Sequence, residues 1–412
     1  MCGIKKIIIG VATVLLLNLM YLLFMMATYC LPTQGQLRDN IGDSLSVWVN
    51  EVNCVKPLFD DYGFYLDSFS DMIWANAATI STGDAFKDTV RQPYKVTSQQ
   101  FTDQETYNNL VAALYYADES SESEYSRYWN LQIGWIKILF QFVTIREIRF
   151  LLFSLTSIIA FILLLVLHRE GRGIVIPIFG GMYMTSLILH STCLSFFGDI
   201  VIALSGMLFI ACRYKTEWYK KWEYLVYIVI GSLTFANAPL VAPVLTLGMC
   251  LLVSVLLRKS SDRQASSWLL LITDSVCWGV GYLGTLLFKQ ILSQIILGYQ
   301  TGTDTIAQWI GFDFGIGDRF RILFNNFARL FSPQVVKIPI IVLFIVFAVW
   351  GIIKAGRKVD YILQVIFISM YPIGWILLVA RHAQHYFTSN ILCVFIAGVS
   401  AVLVCKIDFS KL

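Results

Sequence analysis

Four carboxylates fall within the fourteen residues LFDDYGFYLDSFSD, Leu58 to Asp71. Phe59, Tyr62, Phe64, Tyr65 and Phe69 alternate with Asp60, Asp61, Asp67 and Asp71. A carboxylate can take a proton from an attacking hydroxyl or hold a divalent cation. The aromatic neighbours predict a segment packed against something, where the proton affinity of an acid can be tuned. A solvated loop face is the other reading of the same acids. Asp43 and Glu51 form an earlier acidic pair with the same two readings.

Cations follow at two further places. In YSRYWN, Tyr125 to Asn130, Arg127 and Tyr128 stand beside Trp129. Aromatics at a membrane interface serve as anchors, and an Arg among them can grip a phosphate with two hydrogen bonds. In RHAQHY, Arg381 to Tyr386, two of the four histidines of the chain fall three residues apart. His382 and His385 would share one helix face. With Arg381 they suit a phosphate; a metal pair is the other option, although no acid stands at a ligand spacing. Weaker external polar groups are His190, Asp199, Lys289, Gln290, Asp313, Asp318, Arg319 and Arg321. ADESSESEYS, Ala117 to Ser126, reads as a solvated acidic loop without chemistry.

Several chemistries have no motif here. There is no Walker A loop, GxSxG or HExxH. Nine cysteines are scattered without zinc spacing. Cys30 and Cys54 fall on one side of the membrane and are available for a disulfide. No cofactor, no resident metal and no nucleic-acid partner is expected.

The elements that must position these groups follow from composition. The 412 residues are 57% hydrophobic and 14% charged, with a mean hydropathy of +0.67. Soluble proteins run to about 25% charged. The composition predicts an all-α polytopic membrane protein, a single integral domain over residues 1–412. Lys5 and Lys6 precede the apolar run Ile7 to Ala27, whose exit lacks a small-residue cleavage site, so it reads as an uncleaved first span. Lys/Arg-rich stretches such as HREGR, RYKTEWYKKWEY, LRKSSDR and KAGRK mark the cytoplasmic side, with both termini there. Residues 29–147 form a long, acidic first extracytoplasmic loop, and residues 298–334 a second.

About ten transmembrane helices result. They are 7–27, 148–167, a hairpin in 174–211, a hairpin in 225–257, 269–296, 335–353, 361–380 and 391–404. Polar breaks at HSTCLSFFGD and FANAP divide the two hairpins. Asn130 to Thr144 is expected to lie flat at the interface as an amphipathic helix.

This layout resembles the GT-C superfamily of polytopic glycosyltransferases. Closer stretches, YSRYWNLQIGWIKILF, GSLTFANAPLVAPVLTLGMCLL, CWGVGYLGTLLFKQ and RHAQHYFTSN, resemble bacterial GT-C-like membrane proteins of envelope polysaccharide synthesis. The chain departs from that group at Asn130, Ala236, Asn237, Ala383 and Asn390. The resemblance implies an inverting transfer of a sugar from a polyprenyl-phosphate donor to a glycan or glycolipid acceptor, within membrane lipid and outside the cytoplasm. It implies a base at Asp60 or Asp61, with Asp43 in reserve. It implies phosphate contacts from Arg127, Tyr128, Arg381, His382 and His385. A polysaccharide polymerase or ligase, and a transporter of lipid-linked glycans, are the alternatives. A polymerase usually carries its long loop late, and a flippase should show charges inside several spans.

Overall fold

An α-helix rises about 1.5 Å per residue, so roughly 20 apolar residues are needed to cross a bilayer. The computed structural model describes residues 3–53, 68–97, 103–116, 120–185, 187–237, 242–260, 268–299, 310–330, 359–385 and 389–404. Five helices there are long and apolar enough to cross: Ile4–Tyr29, Ile145–Glu170, Leu194–Arg213, Trp268–Leu297 and Asp360–Leu378. Shorter apolar helices cover Leu131–Phe140, Gly173–Met184, Pro243–Arg258 and Leu392–Val402. The chain is thus an all-α, membrane-embedded protein with one small ribbon. The span expected at 335–353 lies outside the described residues, as does Cys54.

The first helix, α1 (Gly3–Tyr29), leads into a helical cap. The cap comprises α2 (Gln36–Asn53), α3 (Ser68–Ala78), α4 (Ala85–Arg91), β1 (Pro93–Val96), α5 (Asp103–Tyr115), β2 (Ser121–Glu124) and α6 (Leu131–Phe140). Leu37, Ile41, Trp48, Met72, Leu110, Ile136 and Phe140 form its core, continuous with Met25 of α1. The α6 segment, within the stretch expected at the interface, is packed into the cap. Gln132, Ile133, Gly134, Ile136, Lys137 and Phe140 are all buried, because the apolar side chains have cap and α1 surface to cover.

Part of the acidic loop is also ordered. Ser121–Glu124 pairs antiparallel with Pro93–Val96. Arg91 reaches Glu122 at 3.1 Å and Glu124 at 2.9 Å, and Lys95 reaches Glu122 at 3.5 Å. Cross-strand opposite charges of this kind favour pairing.

The bundle continues with α7 (Ile145–Glu170), α8 (Arg172–Met184), α9 (Leu187–His190), α10 (Leu194–Arg213), α11 (Glu217–Asn237), α12 (Ala242–Ser260) and α13 (Trp268–Leu297). After it come α14 (Ile316–Leu330), α15 (Val359–Ser369), α16 (Tyr371–Leu378), α17 (Ala380–His385) and α18 (Ser389–Val404). The first hairpin break falls at α9 and the residues up to Cys193, inside the polar stretch that predicts it; the residues between Asn237 and Ala242 lie outside the described ones. The expected span 361–380 divides at Met370, since Pro372 has no N–H for the helix ladder. The closest crossing is α11 on α13. A Cβ on Gly231 would sit 2.0 Å from the Trp278 carbonyl, and one on Gly281 2.0 Å from that of Ile228. Small residues permit such approach between membrane helices.

Cap and bundle are joined by a buried ion cluster. Arg149 of α7 pairs with Glu51 of α2 and, at 3.3 Å, with Asp71 of α3. Asp71 is fully buried and also accepts the Ser195 backbone N–H at 3.3 Å, at the N-terminus of α10. Anions are favoured there by the helix dipole. On the far side of the bundle, Arg258 bridges Glu223 and Asp274, the latter at 3.1 Å.

Removing one partner of a buried ion pair costs about 3–5 kcal/mol. Arg149→Leu is therefore expected to lower the unfolding temperature sharply in lipid nanodiscs and to open the cap to limited proteolysis. An unfolding temperature equal to wild type would show that the cluster does not hold the cap.

Candidate functional site

The YSRYWN corner is shaped by a glutamine. Gln92 ends α4 in the left-handed conformation, with φ 51°, and is fully buried. Its side-chain amide donates to the carbonyls of Tyr128 at 3.0 Å and Trp129 at 2.6 Å. Asn130, also left-handed at φ 43°, donates its amide to the Gln92 side-chain oxygen. Asn tolerates that region better than most residues.

From this corner a polar chain runs into the bundle. Trp129 Nε1 donates to Asn18 at 2.9 Å, and Asn18 donates to Thr285 at 3.4 Å. Thr285 and Ser232 share a bond of 2.7 Å, and Ser232 and Tyr21 one of 3.1 Å. Lys289, fully buried, donates to the Val90 carbonyl at 2.8 Å, and its ammonium stands 5.0 Å over the Trp129 ring. Val90 lies in the last turn of α4, where carbonyls attract cations. Gln290 donates to the Arg127 carbonyl at 3.0 Å.

An aromatic series runs beside that chain. Trp74, Tyr125, Tyr128, Phe235, Tyr282 and Trp278 follow one another at centroid separations of 5.2, 6.2, 5.7, 5.2 and 5.0 Å. The half-buried Arg127 stands 5.2 Å over Tyr125. Tyr128 is buried, and burial pushes its phenol above the usual range, with Tyr125 adding to the effect and Arg127 opposing it. Arg127 is accessible to a ligand, whereas Tyr128 acts as a packed wall.

Asp199 lies at the cap-side end of α10, 2% exposed. Its one recorded partner is the Asn237 amide, at 3.5 Å from Oδ1, and Oδ2 has no hydrogen-bond partner among the described residues. Bare Gly198 makes room for Asn237, since a Cβ there would meet the amide nitrogen at 1.7 Å. A buried carboxyl with so little compensation costs stability, and intramembrane acids commonly mark function.

The RHAQHY group forms a separate corner. Arg381 pairs with Asp313 and lies 5.3 Å from the Phe314 ring centre. Arg319 is spent on the carbonyls of Leu377 at 2.6 Å, Leu378 at 3.3 Å and Gly311 at 2.7 Å. His382 is buried on α17, and His385 ends that helix. Asn326 donates to the Ala383 carbonyl at 2.9 Å. A cleft of about 270 Å³ opens beside it, lined by Ile322, Asn325, Asn326, Ala383 and Gln384.

The sequence-predicted residues therefore divide. Arg127 and Tyr128 belong to the cap–bundle junction, and Arg381 and His382 pack with α14, α16 and α18. Asp60, Asp61 and Asp67 lie outside the described residues. Asp43 is exposed on α2. Asp71, fourth of the acids, is a structural ion-pair partner. Asp199 and Lys289 were legible only as polar residues at span ends; an acid within one apolar hairpin and an Asn ending the next were the available signal. Comparison with protein-family models, curated proteins and solved structures found no match. Among the described residues no group of three or more His, Cys, Asp or Glu is placed to hold a metal ion.

The cap joint contains one further buried cation. Lys137 is 1% exposed, 5.0 Å over the Tyr29 ring, with no hydrogen-bond partner for its ammonium among the described residues. Burial lowers its pKa to about 8, against the opposing pull of Asp88 and Cys30. A folded value below the unfolded one means that the charged amine costs stability below about pH 8. The cost fades as pH rises toward the unfolded value. Lys137→Met should raise the unfolding temperature at neutral pH, with a benefit that shrinks from about pH 8 to about pH 10. A difference that stays constant across that window would contradict the assignment.

Proposed function

We propose that the chain is a membrane glycosyltransferase of GT-C type. It moves a sugar from a polyprenyl-phosphate donor to a cell-surface glycan or glycolipid acceptor on the cap side, taken as the extracytoplasmic face. The observation that carries this reading is the Asp199 carboxyl, held at the cap-side end of a membrane helix with one oxygen unused. It neighbours the α11 end and the aromatic series that descends from Arg127.

The chemistry needs two kinds of group on the sugar. A carboxylate takes the proton of the acceptor hydroxyl as its oxygen bonds to the anomeric carbon. The bond from that carbon to the phosphate oxygen breaks, and the polyprenyl phosphate leaves with the electron pair. A single displacement inverts the anomeric centre. Asp199 is a described carboxyl with an oxygen left to accept that proton, and Asp60 and Asp61, with Asp43 in reserve, are further candidates. Arg127 would stabilise the departing phosphate charge. Arg381 is a weaker candidate for that role because Asp313 already holds it.

A transporter of lipid-linked glycans fits less well. Charges within the spans should line its path, yet Asp274 is bridged by Arg258 and Lys289 is fixed to Val90. For a polymerase or ligase, the position of the cap directly after α1 is the wrong one.

The test is transfer of radiolabelled sugar from polyprenyl-phosphate donors by the purified chain in nanodiscs, together with envelope glycan analysis after gene deletion. Loss of a general base costs about 10²–10⁴ in rate. Asp199→Asn is expected to fall by that factor with its unfolding temperature kept. Wild-type transfer by this variant would remove Asp199 from the reaction and leave Asp60→Ala and Asp61→Ala to locate the base. No transfer from any donor, with an unchanged glycan inventory in the deletion strain, would overturn the reading.

A further inference from the structure

The cleft between α14 and α17 has a composition that its cationic surroundings conceal. Three carboxamides, Asn325, Asn326 and Gln384, meet two apolar side chains, Ile322 and Ala383. None of the five is charged. Three nearby guanidiniums are already engaged: Arg319 by three backbone carbonyls, Arg321 by Asp318 at 2.9 Å, and Arg381 by Asp313. A phosphate entering here would compete with those partners rather than complete an open site.

We propose that this cleft is a binding site for a neutral sugar ring, apart from the Asp199 junction. A carboxamide both donates and accepts, as a sugar hydroxyl does. Asn325 and Gln384 are exposed and offer both functions to the cleft, while buried Asn326 fixes the floor through the Ala383 carbonyl. Ile322 and Ala383, both buried, close the back of the cleft. The volume, about 270 Å³, lies just below the roughly 300–1,000 Å³ of sites for drug-sized ligands. That suits one ring. The site would hold part of a glycan and not the reacting centre, so it requires no catalytic step.

The full chain in nanodiscs is examined by saturation-transfer NMR against free neutral hexoses and N-acetylhexosamines, with inorganic phosphate and triglycine as separate arms. At least one neutral sugar should receive magnetisation, and neither phosphate nor triglycine should displace it. Asn325→Leu with Gln384→Leu keeps bulk and removes two amides. At about 1 kcal/mol per hydrogen bond, binding should weaken by roughly tenfold or more with the unfolding temperature kept. Displacement by phosphate, binding of triglycine alone, absence of any sugar signal, or unchanged binding by the double variant each overturns the proposal. If the double variant does not fold, the competition arms on the wild-type chain decide. Sugar binding without transfer activity would leave this site standing and remove only the transferase reading.

Discussion

Cap and bundle depend on one buried charge cluster. Asp71 carries no solvent exposure, so its ionised form needs compensation within the fold. Arg149 supplies a counter-charge from α7, and the first turn of α10 supplies an N–H and its dipole. Glu51 occupies the rest of the guanidinium. Four separate helices are thereby set in register by a few atoms. An apolar contact of equal area would tolerate sliding; this one does not, because displacement strands an ion.

That register brings the YSRYWN corner down on α1, α11 and α13. The contacts there are of a different kind. Hydroxyls, amides and an indole N–H form a neutral chain from Trp129 to Tyr21, with a lone ammonium beside it over an indole face. In a membrane setting such groups find no water and must satisfy one another. The chain fixes the angle at which the cap meets the bundle, and so fixes what stands near Asp199. Asp71, Asp274 and Lys289 have partners assigned by the fold, whereas the Lys137 ammonium has, among the described residues, only the Tyr29 ring. Asp199, with a single long contact, is the buried carboxyl of this kind among the described residues.

The sequence made the membrane helices legible because burial in lipid is written locally. Lys/Arg clusters marked the far-side turns, and HSTCLSFFGD marked the break before α10. Met370 could have been read from Pro372, yet an unbroken apolar run from Tyr361 masked it. The cap was less legible because its determinants are distant. Ser121–Glu124 reads as a solvated run until Arg91 and Lys95, some thirty residues earlier, are placed across from it. Asp71 looked like one of four equivalent acids, and only Arg149, 78 residues later, gives it a structural role. Of the candidate site, Arg127 and Arg381 were legible by type, but whether a guanidinium is open or engaged depends on carbonyls and carboxylates elsewhere in the chain.

Asn18 has implications for biogenesis. Its amide meets Thr285, 267 positions downstream, and its oxygen receives Trp129, 111 positions downstream. The ribosome delivers α1 to the bilayer long before either partner exists. During that interval α1 exposes a carboxamide and the Tyr21 phenol to hydrocarbon. The insertion machinery must shelter this polar stripe until α13 emerges, so α1 reaches its final neighbours long after it enters the membrane.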